Sequence, residues 1–172
     1  MKKGYIQVYT GDGKGKTTAA LGLAMRAAGA GLKVYVAQFV KGMDYAELHS
    51  FETMRDRVTV RQYGTQSFVC EQREVEAEQL ARAGLRETRE ILAAGDYEVV
   101  ILDEANVATF YELFDVDDLL DVIGAKPDHV ELVITGRNAD VRIIERADLV
   151  TEMREIKHYY MQGITARPGI EY

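Results

Sequence analysis

The chain has 172 residues, 47% of them hydrophobic and 28% charged, which suits the core of one α/β domain and leaves no room for two ordinary ones. Lys plus Arg number 21 against 28 Asp plus Glu, a formal charge of −7 without the basic footprint of a nucleic-acid-binding protein. The single cysteine, Cys70, excludes an internal disulfide framework and a thiolate metal cluster, and fits a reducing compartment.

The first residues lack a secretory apolar region, because the short stretch Tyr5-Ile6-Gln7 is broken at Gln7 and stopped by Gly11-Asp12. No apolar run approaches the roughly 18 residues that cross a bilayer. The expectation is a cytoplasmic protein with no membrane partner and no nucleic-acid partner. Short β-branched runs alternate with stretches of helical spacing, which predicts a single α/β domain over residues 1–172, with a mostly parallel sheet and helices on both faces.

In chain order, the first strand is predicted from Tyr5 to Thr10 and the first helix from Lys16 to Ala30, ending near Gly29 and Gly31. A second strand, Lys33 to Val40, leads to a short helix over Asp44 to Met54. A third strand spans Val58 to Tyr63. The next helix, Arg73 to Ala94, sets Ala77, Ala81, Leu85, Thr88 and Leu92 on one stripe before Gly95-Asp96. The fourth strand, Glu98 to Asp103, and the fifth, Val130 to Thr135, are almost wholly apolar and are predicted to lie at the sheet centre beside the first. Helices over Val116 to Ile123 and Asp140 to Arg146 flank the fifth, and a sixth strand covers Leu149 to Met153.

Ligands of open α/β sheets bind beyond the strand ends. After the first strand stands Thr10-Gly11-Asp12-Gly13-Lys14-Gly15-Lys16-Thr17-Thr18, a phosphate loop. Its glycines let successive N–H groups turn inward beneath the positive end of the following helix. Lys16 can reach terminal phosphates and the Thr17 hydroxyl can ligate Mg²⁺. The match to G-x-x-x-x-G-K-[ST] is imperfect, since Thr10 holds the first glycine position and Gly11 comes one residue late.

The fourth strand delivers Asp103 and Glu104 at its carboxyl end, where a carboxylate can hold a metal or its waters. Spacing does not choose between them, and both also suit a helix amino end. The fifth strand ends in Thr135-Gly136-Arg137-Asn138. Arg137 could bind phosphate or ribose through its planar fork, or simply follow a turn glycine, with Asn138 or Asp140 capping the next helix.

These motifs carry a resemblance to the corrinoid adenosyltransferases of the phosphate-loop type. Its further markers are Gln38-Phe39-Val40-Lys41-Gly42, Ala147 to Met153, Ile156-Lys157-His158 and the tail Gly163 to Tyr172. The family uses the same departure from the ordinary loop pattern. The resemblance implies a homodimeric enzyme that takes ATP, a divalent metal (Mg²⁺ or Mn²⁺) and a reduced corrinoid, with a flavoprotein reductase as a further partner. It implies transfer of the 5′-deoxyadenosyl group of ATP to Co(I), with all three phosphates leaving together. By motif position Gly11, Asp12, Gly13, Lys14, Gly15, Lys16, Thr17 and Thr18 hold the triphosphate, Thr17 and Glu104 ligate the metal, and Lys16, Thr17 and Glu104 serve catalysis. Relatives carry an aromatic-rich stretch after the third strand. Here it reads Gly64-Thr65-Gln66-Ser67-Phe68-Val69, and Phe68 is the candidate wall against the corrinoid, or an ordinary core aromatic.

Co(I) brings its own electron pair, so the reaction needs no general base. His49, His129 and His158 are accordingly scattered over different predicted elements. The loop and Asp103-Glu104 alone also permit an ATPase or kinase that moves a γ-phosphate, or a module that binds a corrinoid under nucleotide control without chemistry.

Overall fold

The structure, a computed structural model, describes residues 2–65 and 75–172. Phe68 and Cys70 lie outside the described residues.

The strands are β1 (Ile6–Thr10), β2 (Val34–Phe39), β3 (Val58–Tyr63), β4 (Val99–Asp103), β5 (Glu131–Thr135) and β6 (Leu149–Glu152). All five pairings are parallel, in the order β3-β2-β4-β5-β1-β6. The helices are α1 (Lys16–Gly29), α2 (Ala46–Glu52), α3 (Val75–Ala94), α4 (Ala105–Phe110), α5 (Val116–Gly124) and α6 (Val141–Arg146), followed by a 3₁₀ turn over Tyr159–Gln162.

The period-2 alternation of the central strands feeds two cores. Val34 and Val36 of β2, Val99 and Ile101 of β4 and Val133 of β5 meet Ala20, Ala24 and Ala27 of α1 and Phe51 of α2. Their neighbours Tyr35, Ala37, Phe39, Val100, Leu102, Leu132 and Ile134 face α3, α4, α5 and α6. The predicted stripe of α3 is buried at Ala77, Ala81, Leu85, Thr88 and Leu92. Small residues on α1 let it lie close over β1, β4 and β5, which brings its amino end to the strand ends. The amino end of α5 is closed by a capping box between Asp115 and Asp118.

One expectation is corrected. β5 is a neighbour of β1, but β4 is not: it lies between β2 and β5. An apolar run shows that a strand is covered on both faces, whereas neighbour order is set by the crossovers. Here the chain passes from β1 across two later-filled positions to β2, and β4 and β5 return into the gap. The short helix α4 is absent from the sequence expectation, because its six residues directly follow Glu104 without a cap or a long apolar stripe. No helix among the described residues is long and apolar enough to cross a membrane.

Candidate active site

The carboxyl ends of β1, β2, β4 and β5 converge on the amino end of α1. Thr10 remains the last strand residue, and its hydroxyl accepts a hydrogen bond from the Ala139 amide at 3.4 Å. The turn starts one residue later, at Gly11 with φ 93°, and closes at Gly15 with φ 120°, which caps α1 without a side chain. That is why the first loop glycine stands out of register with the ordinary pattern. A Cβ on Gly11 would come within 2.5 Å of the Met153 carbonyl oxygen, and one on Gly13 within 2.8 Å of the Arg154 carbonyl carbon. Glycine is therefore required by backbone approach as well as by φ. No acidic residue occupies the first turn of α1, so its positive end faces the loop uncompensated.

Lys16 lies inside this loop and is only 6% exposed. Its ammonium donates to the carbonyls of Gly11 at 2.6 Å and Gly13 at 2.8 Å, leaving one of its three N–H groups for an anion. Burial lowers its pKa, opposed by Glu104 and assisted by Arg137. Lys14 is exposed and donates instead to the carbonyl of Ile170 at 2.9 Å. Arg137, after Gly136 at φ 131°, donates to the carbonyl of Asp12 at 3.2 Å and so reaches the loop. Asp140, whose side chain accepts from the Arg142 amide, caps α6.

The two acids after β4 occupy different environments. Asp103 is wholly buried, and its Oδ1 accepts from the hydroxyls of Thr17 at 2.9 Å and Thr135 at 2.7 Å. Its Oδ2 accepts from the Lys41 ammonium at 2.8 Å. Glu104 takes a left-handed backbone, φ 61° and ψ 19°, with its amide donating to the Thr135 hydroxyl at 3.0 Å. Its side chain has no hydrogen-bond partner among the described residues. Burial and the adjacent Asp103 raise the Glu104 pKa, against the pull of Lys41, Lys16 and Arg137. Burial pulls the Lys41 ammonium down, but Asp103, through charge and hydrogen bond, and then Glu47 and Glu104 outweigh it and hold its pKa above the ordinary lysine value.

A divalent cation fits this donor set. Thr17 commits its proton to Asp103, which turns its oxygen lone pairs outward, and Glu104 offers a carboxylate with a raised proton affinity. Hard oxygen donors of this kind, completed by nucleotide phosphates, are what Mg²⁺ takes. Among the described residues no group of three or more His, Cys, Asp or Glu could hold an ion alone, so phosphate oxygens would complete the shell. The structure brings Gly11 to Thr18, Asp103, Glu104 and Arg137 together, and leaves Phe68 outside the described residues. His49 pairs with Asp44 on the surface and His129 sits at the opposite sheet end beside Gly95, whereas His158, beyond β6, lines a cavity together with Gly13 and Lys14 of the loop. Sequence reading assigns no role to Lys41 or Thr135. Their signals are position, at or just beyond a predicted strand end, and membership of the motifs Gln38 to Gly42 and Thr135 to Asn138.

A family model described as ATP:corrinoid adenosyltransferase BtuR/CobO/CobP matches residues 2–172. A corrinoid adenosyltransferase of Pseudomonas aeruginosa is 36% identical over 173 residues, covering 99% of this chain and 85% of the relative. The corrinoid adenosyltransferase CobA of Salmonella typhimurium is likewise 36% identical over 173 residues, covering 99% and 87%. Among solved structures, the KaiC-like protein PH0186 of Pyrococcus horikoshii shares the fold, with a TM-score of 0.59 at 13% identity over 90% of this chain and 75% of that one. With its loop geometry and these full-length matches, the chain belongs to the ATP:corrinoid adenosyltransferase family.

Proposed function

We propose that the protein transfers the 5′-deoxyadenosyl group of ATP to the Co(I) centre of a reduced corrinoid, in the making or salvage of adenosylcobalamin. The observation that carries this reading is the glycine loop with Lys16 inside it and Thr17 hydrogen-bonded to buried Asp103. A polyanion can be gripped there, and among the described residues no histidine is hydrogen-bonded to a serine or cysteine that could act as nucleophile. Co(I) needs no such help: its electron pair forms the Co–C5′ bond as the C5′–O5′ bond breaks, and that oxygen leaves with the triphosphate.

What this chain supplies is alignment and charge. Loop amides from Gly11 to Thr18, the remaining N–H of Lys16 and the Arg137 fork hold the triphosphate, whose negative charge rises by one as the electron pair of the C5′–O5′ bond stays with the leaving oxygen. Holding both reactants in attack geometry is worth about 7–11 kcal/mol, so alignment lowers the barrier more than charge neutralisation does. Thr17 and Glu104 would hold the metal, with Asp103 orienting Thr17; bound there, the ion neutralises developing charge on the phosphates. Phe68 is proposed to border the corrinoid. A homodimer is supported by the exposed apolar side chains Leu149 and Val150 on edge strand β6 and Ile156, Tyr160 and Met161 beyond it. A flavoprotein is the proposed electron source, since Co(I) must be made from a more oxidised corrinoid.

The test is to mix protein, ATP, Mg²⁺ and chemically reduced cobalamin and follow the visible spectrum. Growth of the alkylcobalamin spectrum supports the reading. An unchanged spectrum with ATP hydrolysed, or with corrinoid merely bound, replaces it with an ATPase or a corrinoid carrier.

A further inference from the structure

Two residues other than glycine turn the backbone left-handed at the carboxyl ends of adjacent strands: Val40 after β2, with φ 60°, and Glu104 after β4, with φ 61°. For a β-branched residue this conformation is unfavourable and persists only where the surroundings over-determine it. The Val40 side chain packs against the main core while its backbone lies close against Gly64. A Cβ on Gly42 would come within 2.3 Å of the Gly64 carbonyl oxygen, and one on Gly64 within 2.4 Å of the Lys41 amide nitrogen. The ends of β2 and β3 are thereby locked together with Lys41 between them.

The outcome is the direction of one side chain. Lys41 crosses the end of β4, donates to Asp103 Oδ2 at 2.8 Å and stands 3.7 Å from Glu47 Oε1. Glu47 accepts in turn from the buried Gln38 amide at 3.2 Å. Among the described residues, Lys41 is the one cation within ion-pair distance of Asp103. The opposite oxygen of that carboxylate takes the Thr17 and Thr135 hydroxyls. A continuous chain thus runs from Glu47 through Lys41 and Asp103 to Thr17.

We propose that Lys41 is a positioning residue for the metal–nucleotide site, acting through Asp103. By clamping Oδ2 it fixes the carboxylate in the orientation in which Oδ1 takes the Thr17 proton, so the hydroxyl presents its lone pairs to the cation. The strain at Val40 serves this contact. The proposal rests on the reading of Thr17 as a metal ligand, and it distinguishes Lys41 from Lys16 and Arg137, which reach phosphate directly.

The test is equilibrium binding of ATP with Mg²⁺ and with EDTA, the ratio of the two dissociation constants giving the gain in affinity due to metal. Wild type, Lys41→Met, Asp103→Asn, the double variant and Thr17→Val are compared, each checked for folding by circular dichroism. Lys41→Met is expected to cut the gain about tenfold or more, the scale of a lost hydrogen bond to a charged group, with metal-free binding little changed. Lys41→Met can strand a buried charge and fail to fold, so the decisive pair is Asp103→Asn against the double variant, where no such charge remains. Equal gains in that pair are expected. A further loss in the double variant, or metal-free ATP binding weakened by Lys41→Met as strongly as MgATP binding, overturns the proposal. A gain untouched by Thr17→Val would instead refute Thr17 as a ligand.

Discussion

The phosphate loop and the carboxyl-terminal arm beyond β6 meet at one end of the sheet, and they are held by opposite means. The loop is fixed from beneath: Lys16 bonds two of its carbonyls, Thr17 is tied to Asp103, and the Asp103 carboxylate is saturated by three donors. The arm is fixed by scattered surface tethers. The Gly13 amide donates to the Met153 carbonyl, Lys14 to the Ile170 carbonyl, and a half-buried cluster joins Tyr159 and Arg167 to Glu171. Between loop and arm lies a cavity of about 380 Å³, lined by Gly13, Lys14 and the segment from Arg154 to Tyr159. Hydrogen bonds to buried groups are thus concentrated beneath the loop. Lys16 and Thr17, the residues proposed to hold phosphate and metal, are each tied by hydrogen bonds to the protein, the kind of preorganisation that an electrostatic site needs. The arm, rich in exposed side chains, is expected to open more readily than the buried strands.

The hardest way to break this contrast is to remove the cation from the loop. Lys16→Ala is expected to lower the rate of Co–C bond formation by about 10²–10³, the scale of losing one preorganised electrostatic group. A rate near wild type would deny the loop its role.

Gly11→Ala joins the two regions in one substitution, because its Cβ would strike the Met153 backbone and φ 93° disfavours a side chain. It should cost about 1–3 kcal/mol of stability in thermal or urea unfolding and weaken ATP binding. Unaltered stability would mean that the arm yields freely.

Glu104→Gln probes the metal side of the loop. Half-saturation by Mg²⁺ should rise about tenfold, by analogy with the loss of groups that support metal sites. Because burial raises the Glu104 pKa, protons should compete with metal at a pH where an ordinary glutamate is already ionised. Metal affinity in the wild type should therefore fall as pH is lowered into that range, and this dependence should be lost in Glu104→Gln. An unchanged metal titration would refute Glu104 as a metal ligand.

The smallest effect belongs to the arm. Hydrogen bonds from Tyr159 and Arg167 hold the Glu171 carboxyl down at about 2, below its ordinary value of 4.5. A depressed pKa stabilises the folded arm above the ordinary value, and this contribution is lost as pH falls from about 4.5 through about 2. Amide NMR should show the resonances of the arm shifting in that interval before those of β2, β4 and β5. Simultaneous change would remove the distinction between the regions.

Much of this organisation is legible in the sequence, and the exceptions have physical causes. All six strands stand within a residue or two of their expected positions because each is a short β-branched or aromatic run bounded by polar or glycine residues. The loop is readable from Gly13-Lys14-Gly15-Lys16-Thr17 between a strand and an Ala-rich helix. The place of β4 is not, since burial on both faces is a property of the strand and neighbour order is a property of the crossovers. Lys41 and Thr135 stand within motifs the sequence singles out, but their roles escape a sequence reading because they arise only when the ends of β2, β4 and β5 are side by side. The left-handed turns at Val40 and Glu104 give no signal, as neither residue type favours that conformation. Spacing leaves Asp103 and Glu104 equivalent; the burial of Asp103 under three donors is what separates them.

The most direct test of the central claim is ³¹P NMR of the products formed from ATP, Mg²⁺ and chemically reduced cobalamin. A triphosphate held whole while C5′ is attacked must yield one tripolyphosphate for each Co–C bond, without ADP. ADP with orthophosphate as the phosphorus products would contradict it, because the loop would then be presenting the γ-phosphate rather than the sugar for reaction.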